Sequence, residues 1–308
     1  MIPYESIKWL HVEQTSRCNA SCPSCPRNNF GYGLAPGVNE SDLPVSRLAE
    51  VLDMLPNLET VQYCGGLGDA IAARNFKESL QLVLDRNISR IQIQTNGSLK
   101  TVKWWGEIGE LLKDRNHTVW FALDGLEDTH AIYRQNTDFN KIIGNAKAFI
   151  AAGGRAIWQF IPFKHNQHQI LDAIKMSQQL GFEKFEFIRN ARYTSKAFHH
   201  RTGLPIDISS WDKQATYDRH KGDPVDEHKT RNNVVYEKDC MHLSFPSLYL
   251  GSAGNLSPCC YFLHSDIEDM DIDGDFQRKS WDKQCRLWCG SVKQSVNDKA
   301  GNDSQRNT

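Results

Sequence analysis

No run of about 18 apolar residues, the length that crosses a lipid bilayer, occurs anywhere in this 308-residue chain. The opening "MIPYESIKWLHVEQ" has no cationic segment ahead of an apolar core, so it does not read as a secretory leader. Nor is there a basic run that would track a phosphate backbone, and the formal net charge is only −1. Nucleic-acid binding is therefore not supported, and no charged class of partner is favoured. From these absences we expect a cytoplasmic protein with no membrane contact. With 40% apolar and 24% charged residues, the chain can bury a sizeable core, as one large domain or one large and one small. Its nine cysteines, in a chain without a leader, are expected to stay reduced. Metal binding or catalysis is then the favoured use of them, ahead of a disulfide framework.

Short runs rich in β-branched and aromatic residues alternate with longer amphipathic stretches. Strands are predicted at 8–13, 60–64, 90–94, 118–123, 156–161 and 184–188. Helices with apolar residues at three- and four-residue spacing are predicted at 43–55, 75–86, 101–114, 139–152 and 169–180. Parallel strands joined by crossover helices are the common way to build such a repeat. The expected fold is α/β, a partial (β/α)6 TIM-like barrel over residues 1–200. In such barrels the chemistry sits on loops leaving the C-terminal ends of the strands. Here those loops carry "SRCNASCPSCPRN", "GGLGDA", "TNGS" and "DGLEDTH".

Beyond the barrel, 201–239 reads as a polar connector, and His199, His200, His220 and His228, in it and just before it, are expected on the solvated surface. Residues 240–290 read as a small module containing a β-hairpin, turning at Ala253, Gly254 and Asn255, and a short helix. The polar tail 291–308 is expected to be disordered.

Cys18, Cys22 and Cys25 lie within eight residues on the first of these loops. Thiolates select zinc, copper(I) or iron–sulfur clusters. Structural zinc takes four ligands and usually presents paired CxxC knuckles, whereas three thiolates on a [4Fe–4S] cubane leave one iron open to a small molecule. The motif "CNASCPSC" resembles the CxxxCxxC signature of the radical S-adenosylmethionine (SAM) superfamily. The resemblance implies that Cys18, Cys22 and Cys25 bind a [4Fe–4S] cluster while SAM chelates its fourth iron. It implies further that Gly65, Gly66, Asp69, Thr95, Asn96, Asp124 and Arg134, on the other rim loops, contact SAM. Asp69 is equally able to cap a helix, and Arg134 to sit in a salt bridge. Many members place an aromatic residue before the third cysteine; this chain has Ser24, so adenine stacking falls to Phe160 or Phe187. Cys64 reads as a core residue under the glycine turn.

Cys240, Gly254, Cys259, Cys285 and Cys289 are similar to the twitch and SPASM modules of the same superfamily, which hold auxiliary [4Fe–4S] clusters. Four cysteines would also satisfy tetrahedral zinc. The resemblance implies reductive cleavage of SAM to a 5′-deoxyadenosyl radical that abstracts hydrogen. One auxiliary [4Fe–4S] cluster would assist oxidation of a small molecule, making the chain a dehydrogenase-type oxidoreductase. It also implies an external electron donor such as flavodoxin or ferredoxin. A maturase modifying a peptide or protein, and a non-catalytic iron–sulfur or zinc scaffold, are the alternatives.

Overall fold

The computed structural model describes residues 4–31, 33–188, 197–209 and 247–257. Eight strands form one sheet: β1 (Trp9–Val12), β2 (Thr60–Tyr63), β3 (Arg90–Thr95), β4 (Thr118–Ala122), β5 (Arg155–Phe160), β6 (Lys184–Phe187), β7 (Ser247–Leu250) and β8 (Leu256–Ser257). Their order is β6-β5-β4-β3-β2-β1-β7-β8. All neighbours run parallel except β7 and β8. The first six strands lie side by side in chain order, the arrangement of a partial TIM-like barrel whose sheet does not close.

Helices α1 (Val45–Asp53), α2 (Phe76–Asp85), α3 (Val102–Leu112), α4 (His130–Tyr133), α5 (Phe139–Ala151) and α6 (Ile170–Gln179) occupy the connections. The five longer ones fall inside the predicted spans. The Thr101 hydroxyl accepts from the Trp104 N–H at 3.2 Å, and the Asp138 carboxylate accepts from the Lys141 N–H at 2.9 Å. These two side chains start α3 and α5 by satisfying amides that have no partner in the first turn.

Strand alternation sorts the residues into two faces. Leu10, Val12, Val61, Tyr63, Ile91, Ile93, Val119, Phe121, Ala156, Trp158 and Phe160 join the helices in one large apolar core. The opposite, inner face carries Trp9, His11, Gln62, Gln92, Gln94, Trp120 and Gln159 instead, a polar and aromatic lining. The apolar layer therefore lies between sheet and helices, and the inside of the barrel is not packed as a core.

The predicted hairpin is present in its described part, with Gly254 at φ +87° in the turn. Strand β7 does not stand apart from the barrel: it lies parallel to β1, pairing Trp9 with Ser247 and Val12 with Leu250. Cys240, Cys259, Cys285 and Cys289 lie outside the described residues.

Candidate functional site

The rim begins where β1 ends. Glu13, 2% exposed, turns its carboxylate to the next rim loop, accepting from the Leu67 N–H at 2.6 Å and the Gly68 N–H at 3.4 Å. Close approach of backbone to backbone makes that loop depend on glycine. A Cβ on Gly68 would stand 1.7 Å from the Thr15 carbonyl oxygen, and one on Gly65 would stand 1.5 Å from the Gly68 oxygen. Neither position tolerates a side chain without moving the loop.

Asp69 follows, 5% exposed. One oxygen caps the turn Ala70–Ala72 through the Ile71 N–H at 3.1 Å; the other accepts from the Thr95 hydroxyl at 3.0 Å and the Asn96 N–H at 2.7 Å. Burial pushes this carboxyl above its ordinary range, and the donors from Asn96, Ile71 and Thr95 oppose the rise. Its helix-capping alternative is thus what the geometry contains, with the added duty of tying the β2 loop to the β3 loop.

Asn96 reaches from β3 to the cysteine loop. Its amide donates to the Asn19 side chain at 3.0 Å and points at the Cys18 sulfur at 3.7 Å, while its carbonyl oxygen accepts from Ser98. The Ala20 N–H also donates to Cys18, at 3.4 Å. On the other side, the Arg134 Nε donates to Asp124 at 2.6 Å, and its Nη1 stands 3.9 Å from the Cys22 sulfur. Asp124 is wholly buried, and its second oxygen accepts from the Ile161 N–H at 2.6 Å. Burial raises its carboxyl, while the Arg134 guanidinium and the Ile161 N–H work against the rise. Arg134 is therefore in the salt bridge that its sequence left open, with a terminal nitrogen directed at a thiol.

Burial pushes the Cys22 thiol up to about 11, against the pull of Arg134, and raises Cys18 further. Cys18 also responds to Cys22 and Cys25, and Cys22 to Cys25, so the three sulfurs share one electrostatic environment. Left as thiols, Cys18 and Cys22 hold their protons; a soft metal would displace them. Among the described residues no group of three or more His, Cys, Asp or Glu side chains is gathered as a site for a metal ion. What the loop does present is three soft thiols close in sequence, with N–H donors aimed at two of the sulfurs.

A small apolar cluster supports the loop, in which Cys22 packs with Ala20, Tyr133, Phe163, Ala197 and Ile208. The Ser24 hydroxyl meets the Tyr133 phenol at 2.7 Å, and the Tyr133 and Phe163 rings lie 4.6 Å apart. The beginning of the polar connector is thus packed on the cysteine loop, because Ile206 and Ile208 alternate toward it. His199 and His200, expected on the solvated surface, are half-buried, and His200 Nδ1 lies 2.9 Å from the Gln135 side-chain oxygen. Outside the loop, a cleft of about 550 Å³ runs past Asn19, Ser98, Asn136 and His200.

Two expectations are corrected. Phe160 is 0% exposed, sealed against Phe185 and Phe187, so it cannot meet a ligand; Phe187 is half-buried. Cys64 is not in the core. Alternation carries past Tyr63 and sets Cys64 on the inner face, its sulfur 3.4 Å from His11 Nδ1. Sequence reasoning did not single out Glu13 or Asn19. A carboxylate at the end of an otherwise apolar strand is the one signal that marks Glu13.

No family model matches the chain. The tungsten-containing aldehyde ferredoxin oxidoreductase cofactor-modifying protein of Pyrococcus furiosus is 30% identical over 123 residues. That match takes in 39% of this chain and 32% of the relative, so about a third of the relative's length is spanned. Among solved structures, SuiB of Streptococcus suis bound to S-adenosylmethionine superposes with a TM-score of 0.59 at 15% identity, covering 86% of this chain and 63% of SuiB. SuiB has also been solved bound to its precursor peptide SuiA, with a TM-score of 0.58 at 14% identity. The enzyme anSMEcpe, solved with AdoMet and the Cp18Cys peptide, gives 0.56 at 17% identity, covering 95% of this chain and 85% of that one. At such identities the likeness is one of fold.

Proposed function

We propose that this chain is a radical SAM enzyme. The observation that carries the reading is the CxxxCxxC loop leaving β1, with its three sulfurs in one electrostatic environment and N–H donors from Ala20, Asn96 and Arg134 directed at them. The fold is that of structures solved with S-adenosylmethionine bound, which supports the reading.

Cys18, Cys22 and Cys25 would hold a [4Fe–4S] cluster. With SAM on its open iron, the cluster would supply a 5′-deoxyadenosyl radical able to take hydrogen from a substrate. The chain's own contribution is positional. The Cys22, Tyr133, Phe163 and Ile208 cluster keeps water from the back of the loop. Asn96 and Arg134 place hydrogen-bond donors where negative charge collects on sulfur, a lever on cluster potential. Gly66 would let a ligand's amine approach the backbone of the β2 loop, while Gly65 lets that loop close on the Gly68 carbonyl. Asp69 holds that loop to Thr95 and Asn96, and Asp124 fixes the Arg134 side chain beside Cys22.

In the main reading, Cys240, Cys259, Cys285 and Cys289 would hold one auxiliary [4Fe–4S] cluster, which would supply an electron acceptor for oxidation of a small molecule. An external carrier such as flavodoxin or ferredoxin supplies the reducing electron. A second reading, modification of a peptide, is favoured by the fold shared with SuiB and anSMEcpe, both solved with peptides.

Anaerobic reconstitution followed by iron and sulfide counts tests the metal content. About eight irons per chain are expected, falling to about four when Cys18, Cys22 and Cys25 are replaced by Ala. Addition of SAM and dithionite should yield 5′-deoxyadenosine and methionine from the parent protein alone. A colourless zinc protein that leaves SAM intact overturns the proposal in favour of a scaffold.

A further inference from the structure

The inner face of β3 to β6 holds polar groups that no other described residue uses. Gln92 and Gln94 on β3, and Gln159 on β5, are half-buried, and among the described residues none of their side-chain amides has a hydrogen-bond partner. This contrasts with Gln62, which accepts from the Trp9 indole N–H at 3.2 Å, and with Gln14, whose side chain bonds Leu43, Asn75 and Ser79. Glu186 on β6 gives one oxygen to Lys184 at 3.3 Å; its other oxygen is buried without a partner among the described residues. A polar atom left so is destabilising, and a hydrogen bond from a ligand would relieve it.

Register brings these groups together around one ring. Trp120 pairs laterally with Gln94 on β3 and Ile157 on β5. Gln92 pairs with Thr118 and Gln159 with Ala122, each two residues from Trp120 along β4 and therefore diagonal to it on the same face. Glu186 stands beside Gln159. Lateral neighbours are about 5 Å apart and diagonal ones about 7 to 8 Å, so one six-membered ring lying on the indole would come within reach of the three glutamines, while Glu186 lies one strand further out. The indole N–H is already given to the Thr118 hydroxyl at 3.0 Å, and among the described residues no aromatic ring stacks on it. Its face is left as an apolar platform.

The chemistry of the lining selects the ligand. Amides both donate and accept, as hydroxyl groups do. The charges at the β6 end, Lys184 and Glu186, cancel each other, so no ionic group is asked for. We propose that this face binds a neutral, hydroxyl-rich ring compound, a sugar or cyclitol. Its C–H face would rest on Trp120, and its hydroxyls would bond to Gln92, Gln94 and Gln159. That such a compound is also the substrate rests on the radical SAM reading; that it binds does not.

Calorimetric titration of the full, anaerobically reconstituted chain with myo-inositol and with methyl glucoside tests this directly. Saturable binding of at least one is expected, retained in saturating SAM. Gln94→Ala and Gln159→Ala should each weaken it about tenfold, the effect of one lost hydrogen bond. Their unfolding midpoints should match the parent, because neither amide holds another described residue. Trp120→Leu should abolish the binding. Absence of a saturable heat from either compound, binding indifferent to both glutamine substitutions, or displacement by SAM overturns the proposal. So does saturable binding of a short neutral peptide in place of both polyols. Production of 5′-deoxyadenosine without added substrate, measured on the same preparations, reports the radical SAM reading separately.

Discussion

His130 is fully buried at the start of α4, between the Asp124 N–H, which donates to Nδ1 at 3.2 Å, and the Thr137 hydroxyl, 3.0 Å from Nε2. The ring is held neutral by this environment: burial, then the Arg134 charge, lowers its pKa to about 3. The unfolded chain takes up a proton near pH 6.5 that the folded chain refuses until about pH 3. Stability contributed by this group is complete above pH 6.5 and falls below it, by about 1.4 kcal/mol per pH unit. Urea unfolding between pH 6.5 and 4.5 should show a shallower decline in His130→Leu than in the parent; equal slopes would refute the assignment. Gly68 makes a steric prediction. Since its Cβ would meet the Thr15 carbonyl oxygen, Gly68→Ala should lower unfolding free energy by about 2 to 3 kcal/mol. An unchanged midpoint would show that the two loops are not in contact. At this scale the sequence disclosed the cysteines, whose identity and spacing suffice. It hid Glu13, whose partners Leu67 and Gly68 lie more than 50 positions away. Cys64 was misplaced because a one-residue extension of β2 alternation decides which side it faces.

Helices α3 and α5 cross closely at Gly109. A Cβ there would sit 2.5 Å from the Phe149 carbonyl oxygen and 2.8 Å from the Ala152 side chain. Gly106, one turn earlier in α3, has nothing within 4 Å. The two glycines therefore separate propensity from packing. Gly106→Ala should stabilise the protein by up to about 1 kcal/mol through helix propensity alone. Gly109→Ala should destabilise it despite the same gain, and thermal melts of the two variants check the opposite signs. Element positions were well disclosed by the sequence, since each longer helix carries one apolar stripe and each strand a two-residue alternation. The docking of β7 against β1 was not. Nothing in "SLYL" encodes its neighbour, and edge pairing depends on which strand is left unsatisfied once the other six have assembled.

For the molecule as a whole, the strictly sequential order of the first six strands concentrates long-range contacts at the centre of the sheet. Strands β2, β3 and β4 have a partner on both sides and a continuous apolar layer beneath; β6 and β8 end the sheet. Hydrogen exchange followed by mass spectrometry should find the slowest amides in β2 to β4 and faster ones in β6 and β8. Uniform protection across the sheet would contradict this order of stability. Fold class was legible because the repeat of strand and helix leaves few topologies. The inner lining was harder to foresee, since glutamine in a strand reads equally well as a solvent-facing position.

Among the described residues β6 and β8 do not meet, so the wall they end is an arc and not a ring. A closed barrel has its circumference fixed by strand number and shear, so its bore cannot change without breaking ladder hydrogen bonds. An arc has no such constraint. A few degrees of added twist at each strand pair, summed along the sheet, would widen or narrow the interior with every ladder intact. The size of what can be held inside is then set by the guest as much as by the wall.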